Sequence, residues 1–448
     1  MGLHAAGPAA LDRSPAPPQA AARRYAWVVF ALSFGLLLSD YMSRQVLNVV
    51  FPDLKAQWLL SDAQLGSLSG IVALMVGVLT FPLSLLADRW GRSRCLVAAA
   101  AVWSLATLGC AISANYGQMF VGRFLVGAGE AAYGSVGIAV VLSVFPVRLR
   151  ATLSGAFIGG GAFGTVLGVS VGGVLAQHIG WRWAFAVMGL FGLALAVVYA
   201  FVVTERRLAA QMAVVSDAGR GGAGERAPLR TMLPRLFSSA SVVCAYIGSG
   251  LQMFIAMALL AWMPAFLNRS YGMPTARAGL AAGAFALLTG IGTIAGGMLS
   301  DRLSRTAPIR KWTVAISCTS GTLVLLLCGF RLPPGPAQLA LVAAGALLSN
   351  ATAGPAAAMV ANLTPGALAA TAMATLTLAN SLLGLAPGPT VTGMLADHVG
   401  LLGALRLIPL IAVAACAAFV IGRHHYPRDL RRLGLLPGAA LEGLESQP

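Results

Sequence analysis

Charge is scarce in this chain, and acid scarcer still. Of 448 residues only 10% are charged, against about a quarter in an ordinary soluble domain, and just 14 are Asp or Glu. A water-soluble globular enzyme is excluded by that shortage. Histidine is almost absent too: His4, His178, His398, His424 and His425 form no HExxH and no Ser-His-Asp constellation, so metal-dependent and triad hydrolysis have no candidate residues. The six cysteines, Cys95, Cys110, Cys244, Cys318, Cys328 and Cys416, include no CxxC pair and fall in apolar runs, where they read as small packing residues and not as a disulfide or metal framework. No cofactor and no metal is expected.

What the chain has in excess is apolar surface, with 58% hydrophobic residues, 53 glycines and a mean hydropathy of +0.81. Its formal charge of +16 would in a soluble protein suggest nucleic acid. The positions of the charges argue against that, because they cluster between long uncharged runs. A spanning helix needs about 20 mostly apolar residues, and twelve runs qualify, at 25–50, 63–86, 94–113, 116–143, 151–177, 181–203, 238–267, 276–299, 312–331, 337–362, 367–395 and 402–422. Lipid cannot satisfy free backbone groups, and the runs are about twice the length of a barrel strand, so the expected fold class is an all-α integral membrane protein of twelve transmembrane helices.

The arginines set an orientation. With the N-terminus inside, 22 Lys and Arg lie in inner segments, six outside (Lys55, Arg182, Arg269, Arg277, Arg331, Arg406) and two within spans. The positive-inside rule then places both termini in the cytoplasm. Residues 1–22, rich in Ala and Pro, read as a disordered tail. Arg23 and Arg24 precede an apolar run too long for a cleavable signal core, so that run reads as a retained first helix.

The chain divides in the middle. Residues 204–237, polar, Gly-rich and basic, read as a flexible linker between a six-helix bundle at 23–203 and another at 238–422, with a tail at 423–448. The halves echo one another: LSLLADRWGRSR after the second span recurs as GGMLSDRLSRTA after the eighth, and PVRLRAT from Pro146 as PGALAAT from Pro365. Repeats in the same order at equivalent loops indicate a duplicated unit, the pattern of alternating-access carriers.

The stretch SLLADRWGRSR resembles the loop signature G-x-L-A-D-R-x-G-R-x-x of the major facilitator superfamily (MFS), with Ser84 where glycine is usual, and GGGAFGTVLGVSVGGVLAQHIGWRWAF resembles its glycine-rich fifth helix. Within that superfamily, DYMSRQVLNVVFPDL, RFLVGAGEAAYGS and WMPAFL resemble the Spinster-like carriers and neighbouring bacterial organic-anion symporters. The resemblance implies two pseudo-symmetric bundles around a midline site, and a carrier coupled to protons or driven by the substrate gradient.

Four charges sit inside spans: Asp40 and Arg44 in the first, Arg123 and Glu130 in the fourth. Each costs about 2.5–3.5 kcal/mol at mid-span if unpaired. Their sum is zero, which favours pairing, and the spacings of four and seven residues put each pair on one helix face. By resemblance both helices line the central cavity. Burial disfavours an ionised carboxylate and a neighbouring guanidinium favours it, a balance that substrate could tip. Glu130 is therefore expected to carry the proton, with Asp40 as partner and Arg44 and Arg123 as charge regulators or anion contacts. A static ion-pair network that fixes helix packing is the alternative. The Spinster-like pattern usually has Asp immediately before the arginine of the first helix, where this chain has Ser43 and an acid one turn earlier.

By the same resemblance Asp88, Arg89 and Arg92 form a conformational gate at the inner end of the second span, where Asp88 would engage a helix end of the other half. Asp301 and Arg302 are its weaker copy. Glycines 159–161, 164, 168, 172 and 173 read as a surface for close helix approach. The substrate-cavity candidates are Tyr133, Tyr246, Gln252, Met253, Trp262, Asn350 and Asn380. A cavity charged on one wall and apolar to neutral on the other suits a small amphipathic or organic-anion solute. The expected protein is thus a monomeric secondary transporter of the inner (plasma) membrane, not an enzyme, whose partners are a small-molecule substrate, protons and the bilayer, with no nucleic acid. A uniporter or lysolipid exporter of Spinster type, or a membrane-embedded sensor, are the rival readings.

Overall fold

Apolar runs of this length close their backbone hydrogen bonds within themselves only as helices, and a computed structural model of the chain is helical throughout its ordered elements. It describes residues 18–216, 239–305, 307–364 and 369–432. The helices are α1 (Pro18–Val49), α2 (Phe51–Trp58), α3 (Asp62–Trp90), α4 (Arg92–Ala111), α5 (Tyr116–Val144), α6 (Val147–Ile179), α7 (Trp181–Val202), α8 (Glu205–Ser216), α9 (Ala240–Tyr271), α10 (Thr275–Ser304), α11 (Arg310–Arg331), α12 (Pro336–Ala351), α13 (Ala353–Asn362), α14 (Ala369–Asn380), α15 (Pro387–Leu407) and α16 (Ile411–Arg432).

Among the described residues eleven helical runs are long and apolar enough to cross a membrane, and the last, Thr371–Arg431, is 61 residues long. That is far more than one crossing needs. Gly400 breaks it with φ +74°, a backbone conformation that favours glycine. The run therefore crosses twice, making twelve crossings, with the two described chain ends on one face. Two crossings are irregular. Pro355 lacks an N–H and its ring crowds the carbonyl four residues back, and there the tenth crossing breaks into α12 and α13 at Thr352. The eleventh carries a π-turn at Ser381–Leu385 just before Pro387 and Pro389.

Local sequence explains several helix starts. Ser61 and Gln64 form a reciprocal capping box at α3, and Asn115 accepts the Gln118 N–H at α5. Large apolar side chains such as Phe163, Leu190, Phe201, Ile294 and Met298 are exposed, as expected of helices solvated by acyl chains and not by water.

The six crossings within 18–202 meet the six within 240–432 along two seams, α3 against α15 and α6 against α10. Both are stitched by glycine in the half of the molecule opposite the chain ends. A Cβ on Gly66 would stand 2.3 Å from the Pro389 carbonyl oxygen, one on Gly70 2.5 Å from that of Ala386, and one on Gly279 2.7 Å from that of Val169. Contact on the second seam continues to Gly290 and Ala162, 3.2 Å apart by the same measure. Farther along that face of α6, a Cβ on Gly159 or Gly155 would meet nothing within 4 Å. The halves are thus zipped at one face and part toward the face that carries the termini.

The stretch between the first two apolar runs holds a short helix, because Phe51 and Leu54 bury one side of α2. The linker begins as a helix, because Glu205 of α8 accepts the Ser93 and Arg94 N–H groups (2.6 and 3.1 Å) and so caps α4; residues 217–238 lie outside the described ones. The last helix continues to Arg432, so the expected tail is helical for its first ten residues, and α1 begins at Pro18, inside the segment read as disordered. Residues 1–17 and 433–448 lie outside the described chain, as do 365–368 of the second sequence echo.

Candidate functional site

The one-face spacing read from the sequence brings Asp40, Arg44 and Glu130 together. Arg44 Nη2 donates to Glu130 Oε2 at 2.7 Å and stands 3.9 Å from Asp40 Oδ1. Both acids are buried, whereas the Arg44 side chain keeps 22% of its surface exposed. Its guanidinium carbon lies 5.4 Å from the centroid of the Tyr41 ring. That ring packs against α6 where Gly161 and Gly164 leave no room for a side chain, with Cβ positions 2.8 and 2.7 Å from Tyr41 atoms. Among the described residues neither Glu130 Oε1 nor Asp40 Oδ1 meets a hydrogen-bond donor. Two carboxylates thus share one directly paired guanidinium.

Arg123 behaves differently. Fully buried, it donates to three backbone carbonyls, those of Ser43 (3.1 Å), Arg44 (3.3 Å) and Leu68 (3.4 Å), and so ties α5 to α1 and α3. Arg123 lacks the exposure that an anion contact needs in this conformation, and its three carbonyl bonds clamp the helices beneath the charged centre. Ser43, where relatives carry an acid, folds its hydroxyl back onto the Asp40 carbonyl at 2.8 Å.

The cavity candidates divide. Tyr133 is buried between Trp103 and Phe157 and donates to the Ser33 carbonyl, inside the first bundle. Tyr246 is buried and donates to the Ala372 carbonyl at 3.3 Å, and Gln252 is buried as well. Trp262 donates to the Pro389 carbonyl at 3.0 Å beneath Phe51 and belongs to the zipped face. Tyr133, Tyr246 and Trp262 thus bond backbone carbonyls within the packed helices, whereas both polar atoms of buried Gln252 meet no hydrogen-bond partner among the described residues. Met253, Asn350 and Asn380 are half-buried, and Asn380 directly precedes the π-turn.

Of the gate residues, the side chain of Asp88 lies outside the described ones. Arg89 is exposed, Arg92 half-buried, and Asp301 and Arg302 exposed. Among the described residues the inter-half charge contacts are at the opposite face. Asp62, at the start of α3, receives both terminal nitrogens of Arg269 from α9 at 2.7 Å each and Lys55 Nζ at 2.6 Å. Asp397 of α15 accepts the Asp62 and Ala63 N–H groups at 2.6 and 2.9 Å, capping a helix of the other half. None of these four residues is singled out by a motif. Lys55 and Arg269 are, however, two of the six basic residues on the sparsely basic side, and such exceptions were the available signal.

Twelve crossings in two halves, zipped at one face and parted at the other around a buried charge cluster, define a membrane transporter. The chain belongs to the Major Facilitator Superfamily, whose family model matches residues 32–381. A gallate transporter of Pseudomonas putida is 28% identical over 352 residues, 73% of this chain and 76% of that one. A 4-hydroxybenzoate transporter of Pseudomonas aeruginosa is 30% identical over 258 residues, 54% of this chain and 56% of its own. In fold, the chain matches the crystal structure of a bacterial homolog of the human lysosomal transporter Spinster, in its inward-facing and unoccupied conformation, with TM-score 0.80 and 19% identity over 93% of this chain and 99% of that one. It is a multi-pass membrane transporter and not an enzyme.

Proposed function

We propose that the protein is a proton-coupled carrier of a small organic anion, with Arg44 as the anion contact, Glu130 as the proton carrier and Asp40 as its partner. The observation that carries this reading is the 2.7 Å bridge from partly exposed Arg44 to buried Glu130. A carboxylate on the substrate competes for the guanidinium. Once Arg44 turns to the substrate, Glu130 is a buried carboxylate without its direct counter-charge, a state costing about 3–5 kcal/mol if nothing else changes. Taking up a proton removes that cost. Anion and proton therefore bind together, and release of one drives release of the other. The Tyr41 ring beside Arg44 favours an amphipathic anion with an aromatic-sized body, and relatives named for gallate and 4-hydroxybenzoate are consistent with that.

The excess of Lys and Arg at the face bearing the chain ends supports a cytoplasmic location for both termini, in the plasma (inner) membrane. On that orientation the zipped face is external, the protein is drawn open to the cytoplasm, and transport proceeds by alternating access in a monomer. Asp88, Arg89 and Arg92, with Asp301 and Arg302, would act when the inner face closes.

The test is uptake into proteoliposomes under an imposed pH gradient with a panel of aromatic acids, aliphatic acids, lysolipids and sugars. Wild-type protein should accumulate an aromatic acid with the gradient. Glu130→Gln should abolish gradient-driven accumulation while retaining counterflow exchange. Wild-type rates indifferent to the gradient would indicate the uniporter, and a Glu130→Gln variant that still responds to pH would overturn the role assigned to this residue.

A further inference from the structure

The side chain at the opening beside buried Asp40 and Glu130 is Arg44, a cation and so a barrier to an entering proton. Inside the first bundle a line of hydroxyls leads another way. On α1, Tyr25, Ser33 and Asp40 are spaced by eight and seven residues, which puts them within about 80° of one another around the helix and spreads them over about 22 Å along it. Two other helices add hydroxyls between them. Tyr133 of α5 donates to the Ser33 carbonyl and lies within electrostatic reach of both Asp40 and Tyr199. The helix α7 runs antiparallel to α1, with Leu195 against Gly35 and Gly192 against Ser39, where a Cβ would stand 2.5 Å from the serine hydroxyl, so Tyr199 comes level with Ser33. The Ser33 and Tyr199 hydroxyls face each other without closing a hydrogen bond. Tyr199 interacts in turn with Tyr25 and Glu205, and Tyr25 with Glu205 and Arg207, at the start of α8 on the face that carries the chain ends. The Tyr25, Ser33 and Tyr199 hydroxyls and Asp40 Oδ1 are buried atoms that close no hydrogen bond among the described residues.

We infer that these groups form a proton path, from Asp40 past Tyr133 to Ser33 and Tyr199 and on through Tyr25 to Glu205, separate from the opening that admits the substrate. The inference rests on the reading of Asp40 and Glu130 as the proton-exchanging pair. Five steps over roughly 22 Å average about 4–5 Å, longer than a direct O–H···O bond of about 2.7 Å, so single waters bridge them with polar oxygens on either side as their partners. In uptake, a proton bound by the Glu205 carboxylate passes to a bridging water, which releases one of its own to the next oxygen. One O–H bond forms as another breaks at every oxygen, so the last transfer leaves Asp40 protonated, Glu205 ionised again and each hydroxyl and water neutral. Release runs the same steps backward. A buried hydroxyl that closes no bond destabilises a fold, so packing gives no reason to keep a line of them. A path of its own lets the proton leave while the substrate still fills the opening.

Full-length protein in detergent, free of substrate, is taken through a downward pH jump, and the C=O band of protonated carboxyl groups is followed by time-resolved infrared spectroscopy. Asp40→Asn and Glu130→Gln identify the part of the band that belongs to the pair. In Tyr199→Phe and Tyr25→Phe that part should rise at least about ten-fold more slowly than in wild type and reach the same amplitude, since the path sets the rate and not the equilibrium. Both variants keep the ring and lose a hydroxyl that closes no hydrogen bond, so they should melt as wild type. Ser33→Ala serves if either does not fold, and should show the same slowing. Tyr426→Phe, which alters a buried tyrosine of the second half, should leave the rate unchanged. A band that rises at the wild-type rate in the path variants would place proton entry in the substrate opening and overturn the path while leaving the carriers in place, as would equal slowing by Tyr426→Phe. A band that neither Asp40→Asn nor Glu130→Gln diminishes would overturn the carrier reading, and the path with it.

Discussion

At the scale of single residues, two arginines that look alike in sequence do different work. Both lie in apolar spans near an acid, and nothing in their neighbours in the chain separates them. The difference is a matter of partners: Arg44 holds a carboxylate and keeps an open side, and Arg123 is closed over by three backbone carbonyls. Replacing Arg123 by Gln leaves buried carbonyls short of donors, at about 1–3 kcal/mol each. The variant should therefore melt well below wild type in a detergent unfolding assay, whereas Glu130→Gln should melt close to it. Equal melting of the two would show that Arg123 is not the clamp. Asp40, Arg44 and Glu130 were legible from spacing and the cost of charge in lipid. The burial of Tyr133, Tyr246, Gln252 and Trp262 was not, because a polar side chain on a helix can face either its own bundle or the cavity, and only packing decides which.

At the scale of elements, the sequence was read well where one helix is one apolar run. It failed where a helix is held by something distant. The runs that became α3 to α7 and α9 to α11 are continuous and hydrophobic, so length alone marked them. By contrast α2 is short and exists because Phe51 and Leu54 find a buried seat, and α8 exists beside the Glu205 cap on α4, a contact 112 residues away in the chain. The seams between halves depend on glycine in the same non-local way. Gly66→Ala places a methyl group 2.3 Å from a carbonyl oxygen and 2.9 Å from its carbon, both backbone atoms that cannot step aside. It should prevent the zipped face from closing, raise the reactivity of cysteines placed there, and slow transport at least ten-fold. Gly109→Ala, where a Cβ would meet nothing within 4 Å, should leave transport near the wild-type rate. A Gly66→Ala protein with normal transport would show that this seam is not part of the cycle.

At the scale of the whole molecule, the closed face adds charged fasteners to its apolar and glycine packing. They are one carboxylate between Arg269 and Lys55, and a second carboxylate reaching from one half to cap a helix of the other. The Asp62→Asn variant loses the charge that both cations hold, and so should populate the state open at that face. Spin labels at positions 56 and 398 in a cysteine-free background should then give a longer mean distance than in the parent, and an unchanged distance would show that the closure does not depend on this cluster. The Lys55 and Arg269 side chains are 40% and 27% exposed, so mobile ions in the medium reach them. Attraction between such groups fades as the Debye length falls from about 10 Å at 0.1 M to about 3 Å at 1 M salt. Salt thereby becomes an input to the carrier: raising the ionic strength weakens the charged part of the fastening directly, and opening at this face should grow easier with it.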